Sequence, residues 1–143
     1  MLIDRRTKVV IAATAALGCG GLAFTQVAPA SRGATAAKSV KVHMKLVGKL
    51  GPKGASGPVS GLPCVRGRFT SQIFPPKVKY SFKCKGGTFK LTATNNLNGS
   101  DVTGRWETVS GTGRFKHMRG GGPLRGSLQP GKAFILTGKV TGL

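Results

Sequence analysis

The sequence is almost without acids. Among 143 residues, Asp4, Asp101 and Glu107 stand against 23 lysines and arginines, a formal net charge of +20. Charged residues make up only 18% of the chain, below the roughly 25% of ordinary globular proteins. The charge therefore comes from missing carboxylates more than from added bases. A glycosidase or protease built on paired carboxylates needs two neighbouring acids, and an oxygen-ligated Ca²⁺ or Mg²⁺ site needs several; neither can be assembled here. Aromatic rings are scarce too, with one Trp and one Tyr, so the stacking platforms of a nucleic-acid reader are thin. Two histidines, His43 and His117, and three cysteines have no metal-ligand spacing. No stretch after residue 31 has the i, i+3, i+4, i+7 pattern of a surface helix. The composition names no reaction, no catalytic residue, no cofactor and no metal. It does exclude a disordered basic tail, because 39% of the residues are hydrophobic.

The N-terminus reads as a bacterial-type export signal. A basic start (Arg5, Arg6, Lys8) precedes an apolar run over Val9–Phe24, then Ala28-Pro29-Ala30, a small-x-small cleavage pattern, and polar Ser31. The run is short for a membrane span, which takes about 20 residues. The alternatives are an uncleaved anchor and a lipoprotein box at Ala16-Leu17-Gly18-Cys19. The box lacks the usual Leu three positions before the Cys, and the following residues stay apolar. Arg5-Arg6 raises twin-arginine export, but Lys8 stands where that signal wants an apolar residue. The expected organisation is a signal peptide at 1–30, a flexible leader at 31–39 and one β-barrel domain at 40–143. Cleavage would leave 20 bases, 2 acids and the pair Cys64 and Cys84. In an oxidising compartment an even pair reads as a disulfide; two buried thiols are the alternative.

What remains is β-patterned. Val40, Val42, Met44 and Leu46 alternate with Lys41, His43 and Lys45, and Val78, Tyr80, Phe82 and Cys84 alternate with Lys77, Lys79, Lys83 and Lys85. Period two is a half-buried strand. Thr88–Thr94 repeats the device, and Val102–Val109 and Phe134–Thr141 are strands by β-branched and aromatic content. Twenty glycines after residue 30 punctuate many short strands. Asn98-Gly99 fits a type I′ hairpin turn. A hairpin turning at Pro75-Pro76 would set Cys64 roughly opposite Cys84, with a bulge near Gly67 keeping Arg66 and Arg68 outside. Gly51–Val59 carries three collagen-like triplets, too few for a triple helix, and is expected to be a flexible loop.

Gly126–Ala133 nearly spells a phosphate-binding loop. Ala133 lacks the hydroxyl needed for Mg²⁺, and a strand pattern follows where a helix is required, so a Gln-Pro-Gly-Lys turn is the reading. Asn98-Gly99-Ser100 has the form of a glycosylation acceptor, discounted behind a bacterial leader. His43 belongs to a solvated lysine face. Glu107 alternates with Trp106 and shares a face with Arg105, which suggests an ion pair; the functional alternative is a lone carboxylate in a barrel pocket with Trp106 and His117 nearby.

The stretch Trp106–Gly122, with Val109, Gly111-Thr112-Gly113-Arg114-Phe115 and Met118-Arg119-Gly120, resembles the allene oxide cyclase and dirigent-like β-barrels, especially small secreted bacterial relatives. Cys84-Lys-Gly-Gly-Thr-Phe89 and the closing Thr-Gly-Lys-Val-Thr-Gly142 are similar to those proteins as well. The resemblance implies an antiparallel barrel of about eight strands with a pocket at one mouth. It transfers no active site, because the pocket residues of the plant families find no position-by-position counterpart here.

Seven lysines, Lys41, Lys45, Lys49, Lys77, Lys79, Lys83 and Lys85, would then point to solvent from a packed barrel. At a rise of ~3.4 Å per residue, alternate lysines sit about 7 Å apart, inside the ~8 Å Debye length of physiological salt. Such faces should hold an anionic polymer or an acidic membrane surface by counterion release. The leading expectation is a secreted or envelope-associated, non-catalytic binder of a polyanion, without sequence-specific nucleic-acid reading. The alternatives are a dirigent- or cyclase-like barrel holding a small apolar ligand, and a structural protein with no ligand, its lysines serving only solubility.

Overall fold

Period-two patterning produces nine strands. In a computed structural model, which describes residues 37–143, they are β1 (Val40–Val47), β2 (Lys49–Gly51), β3 (Gly54–Leu62), β4 (Arg66–Phe74), β5 (Lys77–Cys84), β6 (Gly87–Asn98), β7 (Asp101–Gly111), β8 (Arg119–Ser127) and β9 (Ala133–Thr141). The expected export signal at 1–30 and most of the expected leader at 31–39 lie outside the described residues. Every neighbouring pair is antiparallel, in the order β1-β9-β8-β7-β6-β5-β4-β3-β2. The sheet closes where His43–Leu46 of β1 pairs with Val59–Leu62 of β3. The result is an eight-stranded barrel, with β2 adding a short ninth strand against Gly54–Ser56 of β3.

Alternate side chains turn inward, among them Val42, Met44 and Leu46 from β1, Tyr80 and Phe82 from β5, Phe89, Leu91 and Ala93 from β6, and Leu136 and Val140 from β9. Five rings form a column through this interior. Phe69 and Tyr80 lie 6.5 Å apart, Tyr80 and Phe82 6.3 Å, Phe82 and Phe89 4.6 Å in a stacked pair, and Phe89 and Phe115 4.9 Å. Phe115 arrives from a single 3₁₀ turn at Gly113–Phe115 between β7 and β8. It and Met118 are fully buried, so this end of the barrel is plugged.

The Cys64–Cys84 disulfide is present, with a Cα–Cα distance of 5.5 Å, and β4 and β5 form the expected hairpin across Pro75-Pro76. The bulge expected near Gly67 does not form. Instead β4 begins at Arg66, after Cys64, so Cys64 is free of the strand's alternation while Arg66 and Arg68 face solvent. Gly67 pairs with Cys84, and a Cβ there would lie 2.7 Å from Cys64 Sγ: its missing side chain is the space the disulfide occupies. A register irregularity does occur between β6 and β7, where Lys90 pairs with Ser110 and Leu91 with Thr108, leaving Val109 of β7 unopposed.

Two other expectations are corrected. The glycine triplets over 51–59 are not a flexible loop; they end β2 at Gly51, make the turn that follows and form much of β3, the strand that closes the barrel. Glycine and proline hid the alternation there, since they carry little side chain to show which face is buried. Gly120–Gly122 belong to β8, where a Cβ at any of them would run into the backbone of a neighbouring strand. The turn between β6 and β7 is centred one residue later than expected, on Gly99-Ser100 between paired Asn98 and Asp101. Only Gly99 has a positive φ, 61°, the pattern of a type II′ turn. The loop after Ser127 is the expected turn, closed by Lys132 N–H donating to Gln129 O at 3.2 Å.

Trp106 completes a gap in the sheet. Pairing of β8 with β9 runs through Gly121–Lys139 and resumes at Leu124–Leu136. In between, Pro123 lies across from Thr137 and has no N–H to give. The buried Trp106 indole instead donates Nε1–H to the Thr137 carbonyl at 2.9 Å. Two outcomes are expected. Trp106→Phe leaves that carbonyl without its donor and costs about 1–3 kcal/mol. Replacing both Cys64 and Cys84 by Ala costs about 3 kcal/mol. Urea unfolding measures both.

Candidate functional site

The unplugged end is a mouth. There the turns at Pro52-Lys53, Pro75-Pro76, Gly99-Ser100 and 128–132 surround an opening that leads to a cavity of about 210 Å³. Phe69 and Tyr80 form its floor as the uppermost rings of the aromatic column, and Val78, Val102 and Phe134 contribute to its walls. The column fills the barrel toward the plugged end, and the inward positions near the mouth are smaller or polar: Ala55, Ser71, Asn95 and, across from Asn95, Gly104 with no side chain.

Polar groups in this cavity are few. Ser71 Oγ accepts from Ala55 N–H at 2.8 Å and donates to Ala55 O at 3.3 Å, so it ties β4 to β3. The Asn95 backbone N–H donates to Pro76 O at 3.4 Å, holding the β4–β5 turn beside β6. Asn95 Oδ1 is buried with no hydrogen-bond partner. Tyr80 is 5% exposed. Burial pushes its phenol above the ordinary value of 10.0, and the neighbouring Asn95 amide offsets part of that rise. The site thus offers an apolar hole with one phenol and one amide at its base. Among the described residues that line it there is no carboxylate, histidine or free thiol.

The rim is apolar where a rim is normally polar. Leu50, Ile73, Leu97 and Leu128 border the cavity and are 59%, 50%, 66% and 39% exposed. Lys77 joins them at the edge. Lys49 and Lys132 border an adjoining depression that shares Leu50, Leu128 and Phe134 with the mouth.

The residues expected to form a pocket do not line the mouth cavity. Trp106 is inside, 3% exposed, but its indole is engaged with Thr137. Glu107 and His117 are exposed. Strict alternation beside an inward Trp106 sends Glu107 outward, into a shallow groove of the outer wall with Arg105, Lys77 and Thr92. His117 lies in the loop that plugs the far end. The pocket residues that sequence reasoning missed, Leu50, Ile73, Tyr80, Asn95 and Leu97, lie where a strand's inward face runs out past the packed core. The one available signal was Asn95 and Leu97 continuing the inward series of Phe89, Leu91 and Ala93.

All seven lysines are exposed, on two separate parts of the wall. Lys41 and Lys45 are on β1 and Lys49 on β2; Lys77, Lys79 and Lys83 are on β5, with Lys85 in the turn that follows. Between β1 and β5 stand β3 and β4 one way round and four strands the other. The β5 field is enlarged by neighbours: Arg68 lies directly opposite Lys83, and Lys90 of β6 opposite Ser81. On β1, Lys41 faces Lys139 of β9. Neither Asp nor Glu occurs in β4, β5 or β6.

Compared with protein-family models, curated proteins and solved structures, the chain matches none.

Tyr80 is the one tyrosine of the chain, so phenolate absorbance reads this site alone. Its folded-state midpoint is expected above 10.0, returning to the ordinary value in denaturant. Folding holds the proton more tightly, so this group's stabilisation is complete below the unfolded pKa and declines as pH rises toward the folded one. Tyr80→Phe removes that part of the alkaline stability loss.

Proposed function

We propose that the protein is an exported bacterial binding barrel without catalytic activity, which attaches to an anionic component of the cell envelope through the outer wall of β4–β6. The observation that carries this reading is the charge pairing across the sheet. Arg68 and Lys83 are directly opposed, and Lys77, Lys79 and Lys90 join them on three strands with no carboxylate. Opposed like charges destabilise a sheet, and a bound polyanion removes that penalty while releasing its own counterions. The export signal at 1–30 and the disulfide both fit an oxidising, extracytoplasmic site. Retention on a heparin column tests the proposal. Lys79→Gln with Lys83→Gln should lower the slope of log affinity against log salt by roughly one for each lysine, and Lys41→Gln with Lys45→Gln on the opposite side should do less. Retention unchanged by the β5 pair would overturn the reading, and no retention at low salt would leave a structural protein.

The mouth cavity favours a second reading, a barrel that also holds a small apolar ligand, as the dirigent and cyclase resemblance suggests. An apolar hole with few fixed polar groups is the usual form of such a site. Fluorescence of N-phenyl-1-naphthylamine should rise on binding, and Val102→Phe, which directs a ring into the cavity, should abolish the rise. Equal fluorescence with both proteins would remove this reading.

A further inference from the structure

We infer that the mouth of the barrel docks end-on against an acidic lipid bilayer, with its apolar rim in the headgroup layer and its lysines on lipid phosphates. The inference rests on the proposed preference for anionic partners, and it assigns a different surface to the membrane than the wall that holds polymers.

The geometry begins with the rim. A soluble monomer scatters its exposed apolar side chains singly, and a contiguous group marks an interaction site. Leu50, Ile73, Leu97 and Leu128 all border one cavity, yet each also projects into solvent, Leu97 at 66% and Leu50 at 59% exposure. A small molecule in a hole of about 210 Å³ covers the inward side of these residues and leaves their outward side wet. A flat apolar phase covers both.

The charge around the rim selects the kind of phase. Lys77 stands at the edge of the cavity, Lys49 precedes Leu50, Lys53 is in the neighbouring turn, and Lys132 is in the loop beyond Leu128. Among the described residues, four lysines meet a single acid at this end, Asp101. Lysine stems lie along apolar surface while their ammonium groups reach for phosphate, and each basic group near an anionic leaflet strengthens binding about fivefold. A neutral surface offers these lysines no return for their desolvation. Insertion is shallow, because Asn98, Gln129 and Asp101 on the same turns are polar and exposed and set its depth.

Sedimentation with phosphatidylglycerol–phosphatidylcholine vesicles, using the full protein, tests the inference. Binding is expected to these vesicles, to be absent with phosphatidylcholine alone, and to fall with salt. Leu50→Ser and Leu97→Ser change exposed residues and should each weaken partitioning roughly tenfold, with heparin retention unchanged. A tryptophan at the rim, Leu97→Trp, should shift its emission to the blue when anionic vesicles are added. The Lys79→Gln and Lys83→Gln pair should weaken heparin retention more than vesicle binding. Vesicle binding indifferent to both serine variants would overturn the inference and leave attachment by the wall intact. Retention on heparin without any vesicle binding would overturn it as well. Equal affinity for monomeric short-chain phosphatidylglycerol would assign the mouth to a soluble amphiphile and not to a bilayer. Failure of heparin retention with vesicle binding intact would overturn the polymer-binding wall and spare the mouth.

Discussion

Closure of the sheet is the constraint from which the other features follow. Four residue pairs, from His43–Leu62 to Leu46–Val59, join β1 to β3 and remove the free edges that an open sheet would present. Once the cylinder is closed, every side chain has one of two fates, and a one-residue slip would exchange them all. The lysines that alternate with Val42, Met44 and Leu46, or with Val78, Tyr80 and Phe82, have no choice but solvent. Among the described residues only Asp101 and Glu107 carry a charge of opposite sign.

The interior is graded along the barrel axis. At one end Phe115 and Met118 plug the barrel, and Phe89 and Phe82 stack above them. At the other, Tyr80 and Phe69 end the column and the inward positions become too small to fill the bore. The cavity is therefore a result of side-chain volume and needs no special backbone. Charge and shape divide the molecule differently, since the densest basic wall is on β4–β6 and the apolar opening lies at the strand ends.

Much of this was legible in the chain itself. Strands β1, β5 and β6 each carry a large apolar residue at alternate positions with lysine or threonine between, and the Cys64–Cys84 pairing followed from the distance of each cysteine to Pro75-Pro76. Strands β3 and β8 were not legible, because glycine and proline fill them and leave period two almost unmarked. Glu107 lies on the outward face it was read to share with Arg105, and not in the alternative pocket. Its neighbour Trp106 is the large buried residue, and alternation then sends the carboxylate out. The mouth was the hardest part to foresee. Leu50, Ile73 and Leu128 come from strand ends and loops far apart in the chain, and only the register of eight strands gathers them around one opening.

The ends of the barrel chain have a consequence of their own. Val40 opens β1, Thr141 closes β9, and Val40 and Val140 are paired neighbours, both at the plugged end. Anything fused, tethered or immobilised just beyond Thr141 is held from behind, as a cup is held by its base. Such an attachment presents the opening outward, unobstructed by the handle.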